Sequence, residues 1–128
     1  MTQLQSVQAM SDQKLNDWLG EKAMGWMVRH KPIGCECDDV DEWWHDGTRF
    51  VRDYEYWHPC ADHTDSLEVQ AKAIEVDGEG YVDNLIAVLD AGQFYNSDGF
   101  DTFGISILLQ ATPRQRAEAA YLTIKFQP

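Results

Sequence analysis

The dipeptide Asp46-Gly47 stands between two aromatic-rich runs, EWWH before it and TRFVRDYEYW after it, and no other stretch restricts the fold as tightly. Asp-Gly between runs of β-forming residues is a strong short-range sign of a hairpin, because glycine accepts the positive φ that the tightest turns need. A two-residue turn then sets the pairing, with Trp43 opposite Phe50, Trp44 opposite Arg49 and Asp41 opposite Arg52. In this register Trp43, Phe50, Tyr54 and Tyr56 share the face expected to be buried. Trp44 lies on the other face, stacked on the Arg49 guanidinium.

Helical periodicity frames the hairpin on both sides. Ser11 or Asp12 can cap a helix in which Leu15, Trp18, Leu19, Ala23, Trp26 and Met27 share a face, closed by Pro32 and Gly34. Residues 1–9 show no apolar periodicity, so 1–10 are expected to form a flexible extension ahead of a single domain over 11–128. An acidic connection, CECDDVDE at 35–42, leads into the hairpin. After it, Asp62, Thr64 or Asp65 can cap a second helix, in which Leu67, Ala71 and Ile74 recur on the side expected to be buried while Glu68 and Glu75 stay in water. DGEG at 77–80 interrupts this helix, and Tyr81, Val82, Leu85, Ile86 and Leu89 resume the spacing until Gly92. Beyond the loop NSDGFD, the alternation of Phe103, Ile105, Ile107 and Leu109 predicts a strand, imperfect at Leu108. Thr112-Pro113 opens a last helix, the threonine as cap and the proline at its first position, with Ala117, Ala120, Tyr121 and Ile124 inward. The class is α+β.

With 128 residues, 44% of them hydrophobic, the chain has the material for one packed core. No apolar run reaches the eighteen or so residues of a membrane span, and MTQLQSVQAM at the start has neither a basic nor an apolar segment; a cytosolic protein is expected. The net charge is −12, and its excess sits in the middle: residues 62–101 hold ten acids with Lys72 as the only base, whereas 102–128 hold one acid and three bases. Such a segment repels phosphate, which disfavours direct nucleic-acid binding and suits a basic protein surface. The plainer reading is a solvated face that keeps the protein in solution.

WHPCADH at 57–63 raises the question of a metal, since His58, Cys60 and His63 are ligand types and Cys35 or Cys37 could add a fourth. The spacing argues against it. Paired cysteines of zinc knuckles leave two to four residues for the chain to turn round a tetrahedral ion, and C-x-C at 35–37 is too tight. Free thiols at a corner of the chain, with no metal, are the reading adopted, and no cofactor motif is present. DGEG matches neither G-x-G-x-x-G nor a P-loop, and its acids would repel phosphates. Asn96, Asp98 and Asp101 lack EF-hand spacing, and no nucleophile elbow is present.

EKAMGW at 21–26, W-x-P at 57–59 ahead of an acidic helix cap, Ala91-Gly92 closing a helix, and ATPRQRAEAAYL at 111–122 together resemble the phage ABA-sandwich domain, a family of small bacteriophage and prophage proteins. The resemblance runs over about residues 11 to 125. It implies a single three-layer α/β/α sandwich with a small, mainly antiparallel sheet, and an accessory phage gene product in the host cytosol. It supplies no catalytic residues.

Three functions stay open on the sequence. The first is a non-enzymatic binding or inhibitory module acting on a host protein, through the acidic segment or through an aromatic hairpin surface formed by Trp44, Arg49, Tyr54, Tyr56 and Trp57. A protein that sequesters a small molecule or nucleotide is the second, and it requires arginines to converge on a pocket. The third is an enzyme with no legible motif.

Overall fold

The computed structural model of the chain describes residues 2–30, 42–96 and 99–127. Its organising element is the last helix, α5 (Pro113–Lys125). Thr112 Oγ1 accepts from the Gln115 N–H while the Gln115 side-chain oxygen accepts from the Thr112 N–H, and Pro113 occupies the first turn, where a missing N–H costs nothing. Every residue from Arg116 to Thr123 is buried, so α5 is enclosed rather than lying on the surface with one apolar face. Ala117, Ala119 and Ala120 let neighbouring helices approach closely, and α1, α2 and α3 all pack against it.

The first of those neighbours corrects the expectation of a flexible extension. Gln3–Gln8 form α1, opened by a capping box between Thr2 and Gln5, with Val7 fully buried and Leu4 packed against the core. One buried valine and a capped turn suffice here because α5 supplies the other wall; six residues are too few to show helical periodicity in sequence. Helix α2 (Asp12–Trp18) is capped by Ser11, one of the two candidate caps, and continues as a π-helical turn over Leu19–Ala23. The expected helix runs on to Met27, but Gly25 takes φ +74° and Met27–His30 form strand β1. Gly25 therefore ends the helix well before Pro32.

Strands β1, β2 (Glu42–His45) and β3 (Phe50–Asp53) make an antiparallel sheet in that order, and β4 (Tyr95–Asn96) pairs with β5 (Gly99–Phe100) in a small ribbon. The fold is thus α+β with a small antiparallel sheet. Its hairpin register differs from the expected one. Trp44 pairs with Arg52 rather than Arg49, Trp43 pairs with Asp53, and an irregularity separates them from the pair His45 and Phe50. The cause is the Asp46 carboxylate: it accepts from the Thr48 N–H, the Thr48 hydroxyl and the Arg49 N–H, which spreads the turn over residues 46–49, closed by an Asp46 N–H to Arg49 carbonyl bond of 3.1 Å. Those same donors hold the Asp46 carboxyl well below the usual carboxylate range. Of the two turn residues only Gly47 has positive φ, so the turn is not the type I′ form. The three-residue change of partner turns the faces over: Trp44 is fully buried, Trp43 is half-buried and Phe50 is exposed.

Helix α3 (His63–Leu89) is capped by Asp62, whose side chain accepts from the Asp65 N–H. It breaks where DGEG was expected to interrupt it. Asp77 is extended, at φ −162° and ψ 91°, and its Oδ1 accepts from the Gly80 N–H at 3.0 Å, so it caps the second half from within the chain. A Cβ on Gly80 would collide with the Asp77 carboxyl, whereas one on Gly78 would meet only Ile74 Cγ2 at 3.7 Å. Opposite signs are therefore expected: Gly78→Ala raises stability by about 0.5–1 kcal/mol, as alanine does in a helix, while Gly80→Ala lowers it because the cap is displaced. Equal gains in chemical denaturation would refute the internal cap.

The buried side of α3 is also not the expected one. Ser66, Val69 and Ala73 face inward, and Leu67, Ala71 and Ile74 face out. Finally, the strand expected at 103–109 is a helix, α4 (Thr102–Leu109), because Asp101 caps it by accepting from the Gly104 N–H at 2.7 Å. Only Gly104 of α4 is buried, and Phe103 and Leu109 are 61% and 75% exposed.

Candidate functional site

The five residues of the expected aromatic surface separate. Trp44 and Trp57 belong to the core, so neither can anchor a partner at the surface. Trp44 stacks on Tyr54 with ring centroids 5.6 Å apart and also touches Trp26, and the Trp57 indole donates to the Asn16 carbonyl at 2.8 Å. The Tyr54 hydroxyl donates to Asp17 at 2.7 Å, and burial, with the Asp17 carboxylate behind it, pushes the phenol up to about 12. Only Arg49 and Tyr56 stay well exposed; Arg49 turns back on Asp46, and Tyr56 lies beyond the end of β3. Sequence alone could not sort them, since faces in a two-period strand follow the register and the register followed the Asp46 side chain.

WHPCADH forms the expected corner. The N–H groups of Ala61 and Asp62 both bond to the His58 carbonyl, and Asn16 reaches across from α2 to accept from the Cys60 N–H at 3.0 Å. The three candidate ligands point apart in function. His58 is exposed. Cys60 is buried with its sulfur 3.9 Å from Arg114 Nη1, and burial pushes the thiol up to about 12, leaving it a poor nucleophile at neutral pH. His63 Nδ1 sits 3.0 Å from the Arg116 guanidinium, which also reaches the Ser66 hydroxyl. Cys35 and Cys37 lie outside the described residues. Among the described residues no three His, Cys, Asp or Glu side chains stand close enough together to hold a metal.

The arginines do not converge. Arg52 crosses from β3 to α3, pairing with Asp65 at 2.8 Å and Glu68 at 3.2 Å while lying over the rings of Trp26 and Trp57. Arg114 ties α5 to Asp12 and the carbonyls of Val7 and Met10, and pairs with Glu118 one turn along its own helix. Arg116 is buried against His63 and Ser66, and Arg29 and Arg49 are exposed on separate elements. Arg52, Arg114 and Arg116 each have a structural task.

What does gather is negative charge. In the second half of α3, Tyr81, Leu85 and Val88 turn inward, so Glu79 and Asp83 fall on the outward side, both exposed, and the exposed Asp90 follows as the left-handed cap of the helix. No ion pair engages these three among the described residues; the nearest base in sequence, Lys72, pairs with Glu75 at 3.8 Å. A helix surface of this kind attracts cations and basic side chains. The apolar group Leu67, Ala71 and Ile74 on the first half was legible as a stripe, but its direction was not, because Val69 and Ala73 make a second apolar side. No helix among the described residues is long and apolar enough to cross a membrane. Comparison with protein-family models, curated proteins and solved structures finds no match to this chain.

Proposed function

We propose that the chain is a small phage- or prophage-encoded accessory protein that acts by binding, engaging a basic surface of a host protein through the outward side of α3. The observation that carries this reading is the group Glu79, Asp83 and Asp90, whose charge no base neutralises among the described residues. A solvated face does not need Glu79 and Asp83 one turn apart with Asp90 at the C-cap, since like charges four residues apart and an acid at a helix C-terminus both lower helix stability slightly. A sequestered nucleotide would call for converging arginines, whereas Arg52, Arg114 and Arg116 are committed to internal partners. The aromatic-hairpin version of the same reading loses Trp44 and Trp57 to the core, which leaves the acidic version. Membership of the ABA-sandwich family, with the sheet enclosed between helical layers, is part of the proposal. Its support is that the first helix, the WHP corner, the helix ending before Ala91-Gly92 and the Thr112-Pro113 helix stand in the order the resemblance implies.

The test is a pull-down from lysate of a phage-infected host, with mass spectrometry of bound proteins and of bound small molecules. One stoichiometric basic host protein is expected with the wild type. It should be lost with Glu79→Lys/Asp83→Lys, substitutions at exposed positions that leave the core untouched. Recovery of a nucleotide without a protein, or retention of the protein by the charge-reversed variant, overturns the reading.

A further inference from the structure

Helix α3 is apolar on two sides of its first half, and only one of them is covered. Ser66, Val69 and Ala73 pack inward, with Ser66 beside Arg116 of α5, while Leu67 and Ile74, 39% and 47% exposed, line up with Ala71 on the opposite side at the i, i+4, i+7 spacing of a single stripe. The second half also turns its inner side to α5, through the bond from Asn84 to Thr123. The outward surfaces of both halves therefore face away from the same helix, one apolar and one carrying Glu79 and Asp83.

We infer that this outward side of α3 is a docking surface for a basic amphipathic helix of a partner protein. The apolar side of that helix covers Leu67, Ala71 and Ile74, and its Lys and Arg side chains lie over the acidic row. The inference rests on the protein-binding reading above and specifies the partner's chemistry. Asp77 breaks α3 into two helices, so at about 1.5 Å per residue the stripe from Leu67 to Ile74 offers only about 10 Å of straight helix, and the partner needs roughly two to three turns over it, with its basic residues toward the end that meets Glu79 and Asp83. Charge selects the occupant. A second copy would bring its own −12 and its own acidic row against this one, and an anionic lipid surface would be repelled in the same way. Helix α4 exposes more apolar surface, but residues 102–113 hold no charged side chain that would select a partner.

The probe is a synthetic 21-residue helix of leucine and lysine with one continuous leucine stripe, set against a peptide of the same composition scrambled to have no stripe. Binding is followed by fluorescence anisotropy at low and high salt. The striped peptide is expected to bind at least tenfold more tightly than the scrambled one. Leu67→Asp/Ile74→Asp should weaken it tenfold or more, and Glu79→Lys/Asp83→Lys should weaken it and flatten its salt dependence. Circular dichroism confirms that each variant is folded. Equal binding of the two peptides, no binding of the striped one, or wild-type affinity in Leu67→Asp/Ile74→Asp overturns the inference. Should the host protein of the pull-down still depend on Glu79 and Asp83 in that event, the broader reading survives without the helix; should it not, both fall.

Discussion

Trp44→Ala is expected to lower stability by about 3–5 kcal/mol, the range for deleting a large buried side chain, and Trp43→Ala by about 1 kcal/mol or less. The two tryptophans are neighbours in sequence and opposites in space. Trp44 is fully buried, stacked on Tyr54 and set against Trp26, whereas Trp43 is only half-buried in the same strand. The six-membered ring of Trp44 lies directly on the π-helical turn: a Cβ on Gly20 would stand 2.6 Å from Cη2 and 2.8 Å from Cζ2. A rigid, enclosed ring cannot give way, so Gly20→Ala should itself lose about 1–3 kcal/mol through overpacking, despite alanine being the better helix former. Urea denaturation of the three variants checks this. Comparable losses for Trp43→Ala and Trp44→Ala, or a neutral Gly20→Ala, would mean that the sheet is seated on its other face.

That contrast shows where sequence reasoning stopped. Features written in a few adjacent residues were legible: the caps at Ser11, Asp62 and Thr112, the proline at the start of α5, and the interruption at Asp77. The caps and the interruption each depend on a side chain bonding to backbone three residues away, and the proline on its fixed φ, all of which a few adjacent residues can announce. Choices between two locally equivalent options were not legible. Asp46 could support a two-residue or a four-residue turn, and its bonds to Thr48 and Arg49 decide the register of two strands. The stretch at 103–109 is apolar enough for a strand or a helix, and the Asp101 cap decides for α4. Helix α3 has two apolar sides, and the small residues of α5 accept the one with Ser66, Val69 and Ala73. The candidate site inherited that last ambiguity: its acids were visible as a charge excess at 62–101, but which of them point outward followed only from where α5 lies.

Replacing Arg114 by methionine should cost about 3 kcal/mol and release α1. Its guanidinium bonds Asp12 Oδ1 and Glu118 Oε2 at 2.7 Å each and the carbonyls of Val7 and Met10 at 2.9 Å, so one side chain holds the end of α1, the start of α2 and the first turns of α5 together. Methionine keeps the apolar stem and removes all four bonds. Glu118, with its side chain only 8% exposed, then loses its partner, and breaking a buried pair from one side costs about 3–5 kcal/mol. The lower end applies because the Arg114 side chain is itself 22% exposed, so water replaces part of what is lost. Helix α1 has only six residues and cannot persist without its neighbours, so its amides should exchange with solvent orders of magnitude faster while those of α5 slow-exchange as before relative to global unfolding. Adding Glu118→Leu should recover part of the stability, since no carboxylate is then left buried alone, but should not restore protection to α1, which needs the bonds to Val7 and Met10. Hydrogen exchange and denaturation on the single and double variants separate the two effects. A loss under 1 kcal/mol for Arg114→Met with α1 still protected would show that Val7 alone holds the first helix in place.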